Sequence, residues 1–366
     1  MKRILINASN LHGGGGVQVA ASFIYELSKL VSDIDLKTVS VVCSTAVNSS
    51  LPESIDSTVF SSFDVIDLKG FAKPEKSKKV LFSGFHTCFT VFGPFYYKIE
   101  VDKHICGFAQ PWIAYPENQV YGMLSLKERL LTKIKFLIQK KYFRQYDELV
   151  VEAEHVKSEL KKLGFSNIEV VSNTISSVFN GSVLTNNVSQ YKKTDIPLLG
   201  FIGRPYLHKN IRILVHVRKI LIEKYNFECT FVFTLNESEM TECGFDGLEG
   251  FNTTGEITLN QCPSFYQCLD GLVFPSLLEC FSASPIEAMK MKVPVFASRR
   301  RFVEDFCEDA AYYFDPHDAD DIANVIYEAF QDPTLMKNKI KLGSDIVAKI
   351  PSARSRAENY VRLILR

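Results

Sequence analysis

Two cations, Arg204 and Lys209, and two carboxylates, Glu279 and Glu287, are the residues of this sequence best placed by type and spacing to do chemistry. Arg204 and Lys209 flank a turn, Gly203-Arg204-Pro205-Tyr206-Leu207-His208-Lys209-Asn210, that follows an apolar run and precedes a helical pattern. Arginine offers a rigid planar fork that fits phosphate, and lysine a mobile point charge, so both could serve one diphosphate. The bland alternative is two solvated surface cations. Glu279 lies in a loop after the apolar run Gly271–Phe274 and has no evident structural duty. Glu287 has one: Ser284, Pro285 and Glu287 read as N-cap, N1 and N3 of a capping box, with proline at its preferred first position. A run of four glycines, Gly13 to Gly16, sits between the first apolar run and the first helical pattern. Such a loop lets backbone approach a ligand, and the helix that follows offers free N–H groups. It is neither a G-K-[ST] phosphate loop nor a clean G-x-G-x-x-G, and a plain tight turn explains it as well.

These residues need elements to hold them. Apolar runs at Lys2–Asn7, Lys37–Cys43, Lys79–Phe82 and Glu148–Val151 read as strands, with helical spacing from Val17 to Val31 and from Leu124 to Tyr146. After a polar, aperiodic stretch at 181–197 the pattern restarts. Strands are expected at Leu198–Ile202, Cys229–Phe233, Gly271–Phe274 and Val293–Ala297, and a helix from about Asn210 to Tyr225. Alternating strands and helices imply parallel, doubly wound sheets. The expected fold is α/β, with two Rossmann-like doubly wound domains, 1–185 and 186–350, facing across a cleft. Ligands in such sheets bind at the carboxyl ends of the strands.

Composition narrows the function. With 42 basic and 42 acidic residues the chain has no net charge, which argues against a nucleic-acid-coating protein. The nine cysteines are scattered and contain no C-x-x-C pair, so they read as buried reduced thiols rather than a disulfide framework or zinc site. The first residues have no signal-peptide pattern, and no apolar run reaches membrane-spanning length. A cytoplasmic location follows as the expectation.

Taken together, these stretches resemble the retaining glycosyltransferases of family 4, of the bacterial polysaccharide and O-antigen type, which have the GT-B fold. Glu279 and Glu287 match that family's E-x7-E motif, and Gly203, Arg204, Lys209 and Asn210 match its glycine-arginine to lysine-asparagine turn. The segments 255–276 and 293–315, and the glycine loop, are similar to further family motifs in the same order. The resemblance implies that Arg204 and Lys209 hold a nucleotide-sugar's diphosphate, with Glu279 against the transferred sugar. It further implies that Glu287 binds the ribose hydroxyls, that Gly15 and Gly16 lie near the phosphate, that Phe281, Ser282 and Ala283 contact sugar and phosphate, and that the loop containing Ile257 frames the base. It implies that helix 351–366 crosses back to the first domain. No metal or other cofactor is expected, since Asp33-Ile34-Asp35 and Asp318-Ala319-Asp320 are only nominal D-x-D matches. Three departures stand out: Glu279-Cys280-Phe281-Ser282 replaces E-G-F-G, Ala109 stands where relatives often have histidine before Gln110-Pro111-Trp112, and the closing helix has no tryptophan. His12, His86, Gln110 and Trp112 are therefore the candidates for the acceptor side, with His104 a further substitute.

The stretch 124–144 carries seven basic residues and one acidic residue among many leucines, isoleucines and phenylalanines. One reading is a helix lying on an anionic membrane, beside the aromatic run Phe85–Tyr97, for a polyprenyl-linked saccharide acceptor. The other is a helix with its apolar face packed on the sheet and its basic face solvated. Two rival functions remain open at this point: a nucleotide-sugar epimerase or hydrolase on the same fold, and a non-catalytic donor-binding subunit.

Overall fold

The computed structural model describes residues 2–181, 190–192 and 195–366. The chain forms two compact units. One comprises 1–117, 125–174 and 351–366; the other comprises 118–124 and 175–350. The expected boundary at 185/186 lies outside the described residues.

The first unit is built on a seven-stranded, all-parallel sheet. Its strands are β1 (Ile4–Ala8), β2 (Val39–Cys43), β3 (Ser62–Val65), β4 (Thr87–Thr90), β5 (Lys103–Gly107), β6 (Glu148–Val151) and β7 (Ile168–Val170). They lie in the order β3-β2-β1-β4-β5-β6-β7. Every residue of β1, β2 and β4 is buried, as expected for parallel strands covered on both faces. The closing helix Ala353–Leu365 belongs to this unit, and Tyr360 packs edge-on against Phe23 of the helix Gly15–Leu27 at 5.0 Å.

The strand expected at Lys79–Phe82 does not form. Lys76–Phe82 is instead a 3-10 helix of which only Phe82 is buried, because the lysines around it cannot enter a sheet covered on both faces. The strand in that part of the chain is β4, inside the aromatic run.

The second unit repeats the plan with six parallel strands: β8 (Leu198–Phe201), β9 (Thr230–Phe233), β10 (Phe251–Thr253), β11 (Gly271–Phe274), β12 (Val295–Ser298) and β13 (Ala311–Phe314). Their order is β10-β9-β8-β11-β12-β13. The helix expected from Asn210 starts later, at Leu214, after a 3-10 turn at Ile211–Ile213. Asn210 itself sits in left-handed backbone at φ 56°, which asparagine tolerates better than most residues.

In both sheets the strand order reverses beside the first strand, between β1 and β4 and between β8 and β11. Connections on either side of such a reversal run to opposite faces, which opens a crevice at the carboxyl ends of those two strands. The loop after β1 holds the four glycines. The loops after β8 and β11 hold Arg204, Lys209 and Glu279.

Candidate functional site

The crevice of the second unit is built from those last two loops. After β8, Gly203 takes φ 136°, a value that side-chain-bearing residues avoid, and its N–H donates to Thr234 Oγ1 at 3.1 Å. The chain thereby swings Arg204 toward two carboxylates. Its Nη2 lies 2.7 Å from Glu239 Oε1 and its Nη1 2.7 Å from Glu256 Oε1. Glu239 also completes a capping box with Asn236 at the start of the helix Glu237–Cys243. The Arg204 hydrogen bond, and secondarily Asn236, hold the exposed Glu256 carboxyl below the usual carboxylate range. A guanidinium has five N–H donors, so this clamp fixes the fork without exhausting it.

Lys209 and Glu279 meet one turn further on. The Lys209 ammonium is ion-paired with Glu279 Oε1 and lies 5.3 Å from the centre of the Phe274 ring. Ser276 Oγ donates to the same carboxylate oxygen at 2.8 Å, and the Leu277 N–H donates to the His208 carbonyl at 2.7 Å. The two loops are therefore stitched together by backbone as well as by charge. Burial lowers the His208 pKa, opposed by the nearby Glu279.

Glu287 does not cap its helix. The helix runs Ala283–Lys290, with Ser282 at the N-cap and no side-chain cap bond. The capping box read from Ser284, Pro285 and Glu287 is shifted out of register by that earlier start. Proline needs no N–H anywhere in a first turn, so it tolerates the shift. Glu287 instead accepts a hydrogen bond from the Tyr266 hydroxyl at 2.9 Å. Burial pushes its carboxyl up to about 7, the Tyr266 bond pulling the other way. In the unfolded chain the same carboxyl has its ordinary value of 4.5. The folded state therefore holds this proton more tightly, and the group's contribution to stability declines as pH rises from 4.5 to about 7, then stays level. Glu152 in the first unit, also raised to about 7 by burial and opposed by Arg356, acts in the same direction. Glu287→Gln should thus flatten part of the pH dependence of the melting midpoint over that window. An unchanged slope in thermal melts across it would contradict the assignment.

The loss of the two glycines after Glu279 costs nothing in backbone strain. Neither Cys280 nor Ser282 has a positive φ, and Ser282 sits at φ −133°. Phe281 packs its ring edge-on against Phe306 at 4.8 Å, holding the helix entrance. Ala283 opens that helix, and Ile257 is half-buried against the same apolar cluster as Phe281.

In the first unit the glycine loop is open. Gly14 is the N-cap at φ 70°, Gly15 and Gly16 open the helix, and a side chain at Gly13, Gly14 or Gly15 would meet nothing within 4 Å. Only Gly14 needs to be glycine for its own conformation. His12 is held in the same loop: Nε2 lies 3.2 Å from the Leu68 carbonyl and Nδ1 3.3 Å from Asp67. Gln110 is the N-cap of the short helix Pro111–Ala114, beyond the carboxyl end of β5. Trp112 stacks on Phe136 at 5.5 Å with ring planes 5° apart. His86 lies apart from these. It precedes β4, where Nδ1 accepts from the Arg3 N–H at 3.3 Å, so it sits at the amino end of the sheet. His104 is half-buried within β5, its Nε2 2.9 Å from Thr90 Oγ1, and burial lowers its pKa to about 4. Asp35 and Asp318, from the nominal D-x-D matches, accept from backbone amides as caps of helical turns.

The helix Leu126–Phe143 overturns the reading in which its apolar face packs on the sheet. Leu126, Leu130, Leu131, Ile134, Leu137 and Ile138 are all exposed, Leu126 at 86% and Leu137 at 69%. The face turned inward is Gln139 and Phe143, with Gln139 Nε2 donating to Tyr96 Oη at 3.1 Å and Phe143 against Phe108 at 4.7 Å.

Sequence reasoning missed Glu239, Glu256, Ser276 and Tyr266. Tyr266 lies within the segment 255–276 that carries part of the resemblance, but nothing in its type or spacing singles it out.

Residues 196–332 match the family described as Glycosyl transferases group 1. Among characterised proteins, the chain is 26% identical over 230 residues to the O-antigen chain mannosyltransferase RfbU of Salmonella typhimurium. That alignment spans 61% of this chain and 60% of the relative. Among solved structures it is similar to HepE of Anabaena, described in complex with UDP and glucose, with TM-score 0.66 and 12% identity over 100% of this chain and 99% of that one. WaaG, a glycosyltransferase involved in lipopolysaccharide biosynthesis, gives TM-score 0.67 and 12% identity over 99% of both chains. These likenesses and the two parallel sheets identify the architecture as the expected GT-B fold, and residues 196–332 of this chain as a glycosyl transferases group 1 domain.

Proposed function

We propose that this protein transfers a sugar from a nucleoside-diphosphate donor to a hydroxyl of a saccharide acceptor, with retention at the anomeric carbon and without a metal ion. The observation that carries the reading is the placing of Arg204, Lys209 and Glu279 on the two loops that flank the β8/β11 reversal. Departure of a nucleoside diphosphate builds negative charge, which fixed cations stabilise strongly where water is excluded. Arg204 and Lys209 supply that charge, and the amides opening the helix Ala283–Lys290 add a partial positive end. Glu279, held by Lys209 and Ser276, positions the sugar, and Glu287 accepts from the ribose hydroxyls. The name of RfbU supports a hexose as the transferred sugar, and the UDP and glucose of HepE support a uridine diphosphate as its carrier. A thermal-shift panel of nucleoside diphosphates tests the reading. One at a hundred times its Kd should stabilise the fold by about 2.7 kcal/mol, and no shift with any member would sink it.

The acceptor we propose is a polyprenyl-linked saccharide of O-antigen-type synthesis, at the inner face of the cytoplasmic membrane. Among the described residues no helix is long and apolar enough to cross a membrane. The helix Leu126–Phe143 supports surface binding instead: its exposed leucines and isoleucines share the outward side with Lys127, Lys133 and Lys141. Each such cation contributes about 1 kcal/mol at an anionic surface. Neutralising Lys127, Lys133 and Lys141 together should weaken binding to phosphatidylglycerol vesicles by roughly 100-fold in a flotation assay. Equal flotation of wild type and variant would contradict the membrane role.

A further inference from the structure

Tyr266 sits on the short helix Cys262–Gln267, fully buried, with its ring 6.0 Å from Phe179. Its hydroxyl reaches two acceptors, Glu287 Oε2 at 2.9 Å and the Ser284 carbonyl at 3.3 Å. A buried phenol finds a partner, and here the partner is a carboxylate with no cation beside it: among the described residues no Lys, Arg or His pairs with Glu287. No other side chain of the described residues donates to Glu287, so Oε1 is left without a protein donor. A half-buried carboxylate with one oxygen anchored and the other without a protein donor keeps that oxygen's acceptor capacity for a ligand's hydroxyls.

We infer that Tyr266 is a positioning residue for Glu287, fixing one carboxylate oxygen so that the other is presented to the two ribose hydroxyls of the donor nucleotide. This rests on the reading of Glu287 given above and adds to it the group that sets its aim. The chemistry favours Tyr266 over a charged partner. A lysine or arginine there would neutralise the carboxylate and compete with the ribose for it, whereas one neutral O–H leaves the acceptor capacity of Oε1 intact. The second acceptor, the Ser284 carbonyl, lies in the first turn of the same helix as Glu287, so the phenol also ties the carboxylate's backbone to Cys262–Gln267.

Titration calorimetry with GDP and UDP, each beside its 2′,3′-dideoxy analogue, separates aim from packing. Glu287→Ala should abolish the preference for the ribose form. Tyr266→Phe, which keeps the ring, should weaken the ribose form by roughly tenfold, the loss expected for one hydrogen bond to a charged group, and leave the dideoxy form unchanged. The double variant should bind no worse than Glu287→Ala. Equal weakening of both forms by Tyr266→Phe would reduce Tyr266 to a packing residue and overturn the inference while leaving Glu287 in place. Wild-type ribose preference in Glu287→Ala would remove the reading of Glu287 and the inference together. If the phenylalanine variant does not fold, 3,5-difluorotyrosine at position 266, isosteric and a stronger donor, changes ribose preference under the inference and leaves it untouched otherwise.

Discussion

Arg204→Ala is expected to lower turnover at least ~100-fold while barely moving the melting midpoint. The two effects separate because the Arg204 side chain is 37% exposed and its pair with Glu256, itself 61% exposed, looks out to solvent, where such pairs contribute up to about 1 kcal/mol. Glu239 keeps its structural duty after the change, since its bond with the Asn236 N–H does not involve the arginine. The loss should fall on the chemical step, because the guanidinium's remaining donors meet a charge that grows as the diphosphate leaves. Steady-state kinetics on the folded variant would settle this: near-wild-type kcat would remove Arg204 from the account of leaving-group stabilisation.

Lys209→Met should reduce turnover by at least a similar ~100-fold, but with a stability loss that Arg204→Ala does not show. The paired side chains are only 15% and 12% exposed, and the variant leaves Glu279 with the Ser276 hydroxyl as its one remaining side-chain donor among the described residues. Breaking one side of a buried pair costs on the order of 3 kcal/mol. The double variant Lys209→Met with Glu279→Gln removes the stranded charge, so it should recover most of the stability and none of the turnover. Recovery of both would mean that the pair is structural only. Recovery of neither would place the defect in the fold of the two loops rather than in their charges.

How much of this was legible in the sequence depended on what each residue's surroundings demanded. ILINA, VSVVC, GLVF and VFAS stood out because strands buried on both faces are made almost wholly of small or apolar side chains, with Asn7 the polar exception in ILINA. The edge strand SFDV and the mixed strand KHICG did not, since partial exposure admits aspartate, lysine and histidine. Arg204, Lys209 and Glu279 were legible as charges at strand ends. Their local partners were not, because Glu239 follows β9 and Glu256 follows β10, and only the strand order brings these separate connections near. Glu287 was misread as a cap because the same residue types satisfy a capping box two residues out of register, and the backbone alone decides the helix start. The helix Leu126–Phe143 was read as a 3.6-residue pattern with two possible orientations, and nothing in a period says which face turns inward.

The most direct test of the central claim is acceptor-dependent transfer. Purified protein would be incubated with radiolabelled nucleotide sugars and lipid-extracted saccharide acceptor, and label in the acceptor measured against nucleoside diphosphate released. The account predicts equal amounts of both from one donor, requiring acceptor and lowered at least ~100-fold in Arg204→Ala. Release of diphosphate without any acceptor, or no consumption of any donor that the protein binds, would contradict it.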